Sequence, residues 1–104
     1  MMIAIPASAK NPDALIDERF ARCPFFCFYN TKTMDFDFKE NTKKDAMEGV
    51  GPQVAEFLAN NGIMAVYTCE VGPKAKMILE KLNITINIVK SNQTVKQITT
   101  LLNN

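Results

Sequence analysis

Apolar and polar positions repeat along the chain with two periods, and the change between them separates strands from helices. Met2–Pro6 is an unbroken apolar run, which is typical of a strand buried on both faces. Phe25–Tyr29 is a second run of this kind, and the strictly alternating segment Met34–Lys39 follows it after a short polar turn. The second and third strands are therefore predicted to form an antiparallel hairpin. The inward-facing residues of its alternating strand are expected to be Met34, Phe36 and Phe38.

The apolar period changes to 3.6 residues in the second half of the chain, where helices alternate with strands. The predicted elements are a helix from Pro52 to the Asn61-Gly62 stop, a buried strand Ile63–Tyr67, a helix from Pro73, a half-exposed strand Ile84–Ile88, and a last helix capped by Thr94. The predicted order of elements is therefore βββαβαβα. The polar connection 40–51 is the longest, and it is a candidate mobile loop.

The connections between these elements predict the arrangement of the sheet. Strands linked by a helix are expected to be parallel neighbours with right-handed crossovers, and the two fully apolar strands, the first and the fourth, belong at the centre. This gives an α/β fold with a mixed five-stranded sheet in the order 3-2-1-4-5, in which strand 2 is antiparallel. A chain of 104 residues can build one core of this kind, so we expect a single domain over residues 1–104.

Charge and composition argue against several classes of function. Twelve Lys and Arg against eleven Asp and Glu give a net charge of +1, so there is no electrostatic case for nucleic acid or an anionic membrane as the main partner. No apolar run approaches the roughly 20 residues of a membrane span, and we expect a cytoplasmic protein whose three cysteines stay reduced. The chain has no histidine, which removes the commonest general base and the commonest nitrogen ligand for zinc.

Two cysteines belong to the edge of the sheet at which ligands of such folds bind, outside the carboxyl ends of the parallel strands. Cys23 and Cys69 lie on the strands that flank the first strand, so their backbones are expected to be about 10 Å apart. Each is either a ligand for a soft metal or an ordinary half-buried thiol. Cys27 has aromatic neighbours and is predicted to be a core residue.

Two kinds of group that favour anions belong to the same edge. Both internal helices begin with Val-Gly-Pro, so the N–H groups after Gly51 and Gly72 are expected to point outward at the positive ends of two helix dipoles, unless the motif serves only to start a helix. Arg19 and Arg22 precede Cys23, where they would lower the pKa of the thiol and donate to an anionic ligand. A charged surface loop with an internal aspartate–arginine pair is the alternative.

Several segments together resemble a known family. They are Ile16–Phe26, Gly49–Leu58, Asn61–Ile63, Val71–Ala75 and Thr94-Val95. In this order and spacing, the sequence resembles the dinitrogenase iron–molybdenum cofactor biosynthesis family. The resemblance implies a ribonuclease-H-like, three-layer α/β/α fold. It also implies a non-catalytic protein that binds or carries a metal–sulfur cluster of the iron–sulfur or iron–molybdenum type, with cluster donor and acceptor proteins as partners.

Departures from the family pattern shift the expected ligands toward sulfur. Some members have a histidine where this chain has Arg19, and a glycine is frequent at the position of Cys69. Since the chain has no histidine, Cys23 and Cys69 are the expected metal ligands. A nuclease of the ribonuclease-H type is excluded unless Asp17 or Glu70 is recruited, because Met2–Pro6 contains no acidic residue to hold a metal ion. The competing hypothesis is a protein–protein adaptor that regulates a metal-handling ATPase or reductase and binds no metal.

Overall fold

The computed structural model describes residues 1–103, which form five strands and three helices. The strands are β1 (Met2–Ala7), β2 (Phe25–Asn30), β3 (Phe36–Glu40), β4 (Ile63–Thr68) and β5 (Thr85–Ile88). The helices are α1 (Val50–Asn60), α2 (Pro73–Lys81) and α3 (Val95–Leu102). The predicted order βββαβαβα is confirmed. None of these helices is long and apolar enough to cross a membrane.

The five strands form one mixed sheet in the order β3-β2-β1-β4-β5. β2 is antiparallel to both of its neighbours, whereas β4 is parallel to β1 and to β5. The predicted sheet order and the antiparallel second strand are therefore confirmed. Because β1 lies between two neighbours and carries an almost wholly apolar sequence, it forms the buried centre of the sheet.

The helices cover both faces of this sheet, which gives the molecule three layers. Ala4 of β1 belongs to a core cluster shared with α1 and α2. Its neighbours Ile3 and Ile5 belong to a second cluster, which Val95 and Ile98 of α3 complete. Since successive side chains of a strand point to opposite faces, the two clusters lie on opposite sides of the sheet. The ribonuclease-H-like name that the resemblance implies stays a prediction.

The start of β3 differs from the prediction by two residues. Met34, expected to face inward, is 57% exposed and has a positive φ of 66°. The turn after β2 determines this conformation, because the carbonyl of Asn30 accepts from the N–H of Met34 at 2.7 Å. The prediction for Met34 is therefore wrong, while Phe36 and Phe38 pack against the second cluster as expected.

The helix starts follow the prediction to different degrees. α1 begins at Val50 rather than at Pro52, because Gly49 adopts a left-handed conformation with φ 62° and caps the helix. Proline is tolerated in the first turn, where its missing N–H has no partner within the helix. α2 begins at Pro73, as predicted. Thr94 caps α3, as predicted, and forms a capping box with Gln97.

Candidate functional site

A cleft of about 590 Å³ opens between the N-terminal ends of α1 and α2 and the segment that precedes β2. Its walls come from three short stretches, 19–22, 49–52 and 72–75, together with Glu70. The stretch 19–22 precedes β2, the stretch 49–52 follows β3, and the stretch 72–75 follows β4. The topology of the sheet brings all three to one edge. This is the edge at which the sequence predicts ligand binding.

The first turns of both helices line the cleft and carry unpaired backbone N–H groups. These belong to Val50 and Gly51 in α1 and to Lys74 and Ala75 in α2, all of which line the cleft. No side chain caps either helix, and among residues 1–103 these N–H groups have no hydrogen-bond acceptor. The partial positive charges of two helix dipoles therefore meet at one place, which favours an anion.

The two glycines of the predicted site have different roles. Gly51 lies inside α1, and a Cβ atom added to it would be 2.9 Å from the Cβ of Ala75 in α2. The missing side chain thus allows the two helix ends to approach each other. Gly72 caps α2 and has no atom within 4 Å of an added Cβ, so no close contact requires a glycine there.

Arg19 lies at the cleft and is held by Asp17. The Nε and Nη2 atoms of Arg19 each donate to a carboxylate oxygen of Asp17 at 3.0 Å. Burial on its own raises the pKa of Asp17, but the hydrogen bonds and the charge of Arg19 outweigh it and hold that pKa below its ordinary value. The structure therefore has the aspartate–arginine pair that is the alternative interpretation of this segment, and it also places the guanidinium at the cleft.

Arg22 also lines the cleft, but its guanidinium binds protein atoms. Its Nη1 donates to the carbonyl of Lys44 at 2.8 Å, and its Nη2 donates to the carbonyl of Ala46 at 3.3 Å. Both acceptors belong to the loop between β3 and α1. Arg22 thus joins one wall of the cleft to this loop.

Cys23 is not at the surface of the cleft. It has no accessible surface, and its Sγ donates to the carbonyl of Phe20 at 3.3 Å. Burial raises the pKa of the Cys23 thiol to about 12, and the negative charge of Asp17 acts in the same direction. The charge of Arg19 lowers this pKa, as expected, but burial outweighs it and the net shift is upward.

Cys69 lies on the other side of the sheet from Cys23. It is half-buried and packs against the second core cluster, whereas Cys23 belongs to the first. Burial raises the pKa of Cys69, and the negative charges of Glu18 and Glu70 add to this shift. The structure thus does not bring the two expected ligands together. In this conformation the Cys23 thiol is buried and bonded to the carbonyl of Phe20, and its role as a metal ligand stays a prediction.

The described part of the chain contains no ready-made metal site. Within residues 1–103, no three Cys, Asp or Glu side chains gather closely enough to hold a metal ion. Cys27 is fully buried in the core, as predicted. The chemistry of the cleft is instead that of hydrogen-bond donors and cations, with Phe20, Val50 and the two prolines supplying apolar walls.

Two residues important for this geometry are absent from the sequence-based site. Lys74 lines the cleft, and its position directly after Gly-Pro is a signal that could have identified it. Asn41 has no accessible surface, and its Nδ2 donates to the carbonyls of Ala21 and Cys23 at 2.8 and 2.9 Å. No local pattern marks Asn41, because its partners lie about twenty residues earlier in the chain.

Comparison with known proteins agrees with this architecture. An uncharacterized protein from Methanocaldococcus jannaschii is 31% identical over 97 residues, which are 90% of this chain and 77% of that protein. The apo form of the orange protein from Desulfovibrio gigas superposes with a TM-score of 0.92 at 29% identity, covering 97% of this chain and 85% of the other. A Thermotoga protein, provisionally described as a NifB protein, superposes with a TM-score of 0.83 at 28% identity and the same coverage.

The family comparison spans the complete sequence. The sequence profile described as "Dinitrogenase iron-molybdenum cofactor" matches residues 1–104. The match includes the segments that form the cleft, from Arg19 through Ala75. This protein therefore belongs to the dinitrogenase iron-molybdenum cofactor family.

Proposed function

We propose that this protein binds an anionic metal–sulfur cluster, of the iron–sulfur or iron–molybdenum type, in the cleft between α1 and α2. It carries the cluster from a donor protein to an acceptor protein during the assembly of a metallocofactor. The observation that supports this most directly is the convergence of two uncapped helix N-termini on one cleft. Membership of the family supports the chemical class of the cargo.

The residues of the cleft suit an anion held by hydrogen bonds and charge rather than by thiolate ligands. Arg19, Arg22 and Lys74 contribute positive charge, and Glu70 is the single carboxylate among the lining residues. Four backbone N–H groups add donors at fixed positions. The apolar walls reduce the local dielectric constant and strengthen these interactions. A cluster whose charge is spread over several sulfur atoms presents many acceptors to such a surface.

Carriage without catalysis agrees with the side chains of the cleft. Its lining residues include no serine, threonine, cysteine or tyrosine that could act as a nucleophile. Binding without covalent ligands also allows release, because no metal–thiolate bond has to break when the cargo moves to an acceptor.

The proposal is tested by anaerobic titration with tetrathiomolybdate, and in parallel by reconstitution with iron and sulfide. We expect visible absorption that stays with the protein after desalting and decreases as the salt concentration rises. Lys74→Gln should weaken tetrathiomolybdate binding several-fold, since it removes a cation at the end of α2. Lys96→Gln is the matched control, because Lys96 is an exposed lysine of α3 that does not line the cleft.

Cysteine variants decide between thiolate ligation and the donor-based site. Cys23→Ser and Cys69→Ser should both retain tetrathiomolybdate. Loss of the absorption in Cys69→Ser would show that Cys69 is a thiolate ligand. It would contradict binding by N–H groups and cations alone. If neither tetrathiomolybdate nor the iron–sulfur preparation stays with the wild-type protein, the carrier proposal fails and the adaptor hypothesis is favoured.

A further inference from the structure

The loop 41–49 connects β3 to α1 and is fastened to the cleft wall at its first residue. The buried side chain of Asn41 donates to the carbonyls of Ala21 and Cys23, and its backbone N–H donates to the carbonyl of Pro24 at 3.0 Å. These bonds extend the pairing of β2 and β3 beyond the last ladder residues, Phe25 and Glu40. The beginning of the loop is therefore fixed to the segment that carries the cleft arginines.

The middle of the loop is held differently. The backbone N–H of Ala46 donates to the carbonyl of Lys43, and that of Lys44 donates to Asn41, so these bonds stay within the loop. Between residues 43–47 and the part of the structure outside the loop, the only hydrogen bonds in the described chain are the two from Arg22. Met47 is 96% exposed and adds no packing. Arg22 thus supplies the hydrogen bonds that connect the middle of the loop to the body of the protein, in addition to contacts of the partly buried Lys43, Lys44 and Ala46.

The loop runs directly into the site. Gly49, with its positive φ, ends the loop and lines the cleft, and the next two residues supply the N–H groups of α1. The carbonyl of Ala46 that Arg22 holds is only four residues before Val50. The position of this carbonyl therefore influences where the start of α1 lies relative to the start of α2.

We propose that Arg22 is a positioning residue of the cleft, which holds the loop 41–49 so that the Val50 and Gly51 N–H groups stay aimed at the bound anion. This inference rests on the proposed function. Arginine suits the role because its planar guanidinium reaches two carbonyls at once, whereas lysine presents a single donor centre. Arg22 thereby contributes geometry to the site in addition to charge.

The test separates the geometric contribution from the charge by comparing two arginines of the same cleft. Arg22→Lys keeps the charge and loses the two-carbonyl contact, and Arg22→Gln loses both. Arg19→Gln removes an equal charge from the cleft but leaves the loop contacts intact, because Arg19 bonds to Asp17. Amide hydrogen exchange in the full chain is measured at Lys43 and Ala46, whose N–H groups bond within the loop.

We expect exchange at Lys43 and Ala46 to become about tenfold faster or more in Arg22→Lys and in Arg22→Gln, because charge-assisted hydrogen bonds are lost. The amide resonances of Val50 and Gly51 should shift in both variants. Arg19→Gln should leave exchange at Lys43 and Ala46 unchanged. Tetrathiomolybdate affinity should fall in Arg22→Lys although the charge is conserved, and thermal unfolding should show that each variant is folded.

Three results would overturn the inference. These are unchanged exchange in both Arg22 variants, unshifted Val50 and Gly51 resonances, or wild-type affinity in Arg22→Lys. A different pattern marks failure of the proposed function: the wild-type protein retains no tetrathiomolybdate, while exchange and the resonances of α1 still respond to Arg22 and not to Arg19. The exchange and resonance measurements therefore test the role of Arg22 even if tetrathiomolybdate is not bound.

Discussion

Burial determines what each of the three cysteines can do. Cys23 and Cys27 have no accessible surface, and burial raises the pKa of each to about 12. Cys69 is half-buried, and its pKa is raised in the same direction. Because the thiolate is the reactive form, accessibility and ionisation both place Cys69 first in any reaction with a thiol reagent.

The native protein should therefore react with a disulfide reagent such as DTNB in one fast phase, from Cys69, and Cys69→Ser should remove this phase. The pKa of Cys69 is raised above 9.0, the ordinary value of a thiol, so its thiolate is still forming above that pH. The rate of this phase should therefore continue to rise as the pH increases above 9.0. Unfolding in denaturant should make all three thiols reactive. A fast phase that persists in Cys69→Ser would show that a core thiol becomes accessible in the native state.

The contact between Gly51 and Ala75 makes a single methyl group critical. We expect Gly51→Ala to lower the free energy of unfolding by about 1–3 kcal/mol, because the new Cβ overlaps Ala75 and forces the ends of α1 and α2 apart. Chemical denaturation measures this change. Gly72→Ala is the matched control, with an expected loss of under about 1 kcal/mol, since an added Cβ there contacts nothing.

A second substitution tests whether this overlap is the cause. Ala75→Gly removes the methyl group that the new side chain meets, so the double variant Gly51→Ala/Ala75→Gly should be more stable than the sum of the single changes predicts. Simple additivity of the two free-energy changes would show that the helix ends relax independently and that the close contact is not limiting.

At the scale of elements, α3 has the most complete terminal signal. The Thr94 side chain accepts from the N–H of Gln97 at 3.1 Å, and the Gln97 side chain accepts from the N–H of Thr94 at 2.8 Å. Thr94→Ala should cost about 1 kcal/mol in thermal or chemical unfolding, because the N–H of Gln97 loses its side-chain acceptor. Thr100→Ala, at an exposed position inside α3, should change stability little or increase it slightly. Equal effects at both positions would contradict a role for the cap.

Local signals of this kind explain why most elements could be predicted from the sequence. Unbroken apolar runs identify β1 and β2, and the proline and threonine at the starts of α2 and α3 are read directly. The alternation that includes Met34 misleads, since the turn after Asn30 needs a residue with positive φ and no glycine is present there. A turn can therefore override a perfect strand pattern, because its local hydrogen bond fixes the backbone conformation of Met34.

At the scale of the whole molecule, the alternation of side chains along a strand is what allows the sequence to predict the face of the sheet on which a residue lies. Cys23 and Cys27 are four residues apart, so a continuous strand would place both on one face. The structure places them in different clusters, because β2 begins only at Phe25 and a turn carries Cys23 to the other side. The edge of the sheet and the starts of α2 and α3 were predictable from the sequence, whereas α1 begins two residues before its predicted start. The carbonyl of the buried Cys23 accepts from Asn41, a tertiary contact that no local pattern reveals.

The buried thiols also make global stability depend on alkaline pH. The pKa of Cys27 is raised in the folded state. At a pH above 9.0, the ordinary pKa of a thiol, the folded protein therefore keeps the Cys27 proton, whereas the unfolded chain has lost it. Its contribution to stability is therefore fully present below pH 9 and is lost as the pH rises toward 12. Cys27→Ala should show a shallower fall in the free energy of unfolding over this range.

Cys69→Ala provides the comparison for this pH dependence, because Cys69 is only half-buried. Its substitution should change the alkaline slope less than Cys27→Ala does. Identical slopes in wild-type protein and Cys27→Ala would mean that the Cys27 thiol ionises as readily in the folded state as in the unfolded chain.

The central position of β1 has a consequence for how the chain reaches this structure. β1 precedes all other elements, and β2 can pair with one of its edges early, but its other neighbour, β4, follows only after β3 and α1. During synthesis from the N-terminus, the second edge of an apolar strand therefore stays open until Ile63–Thr68 has emerged. Contacts over such long separations in sequence form slowly, and open strand edges promote aggregation. The interval before β4 becomes available is thus a stage of folding at which the second edge of β1 is open to pairing with another chain.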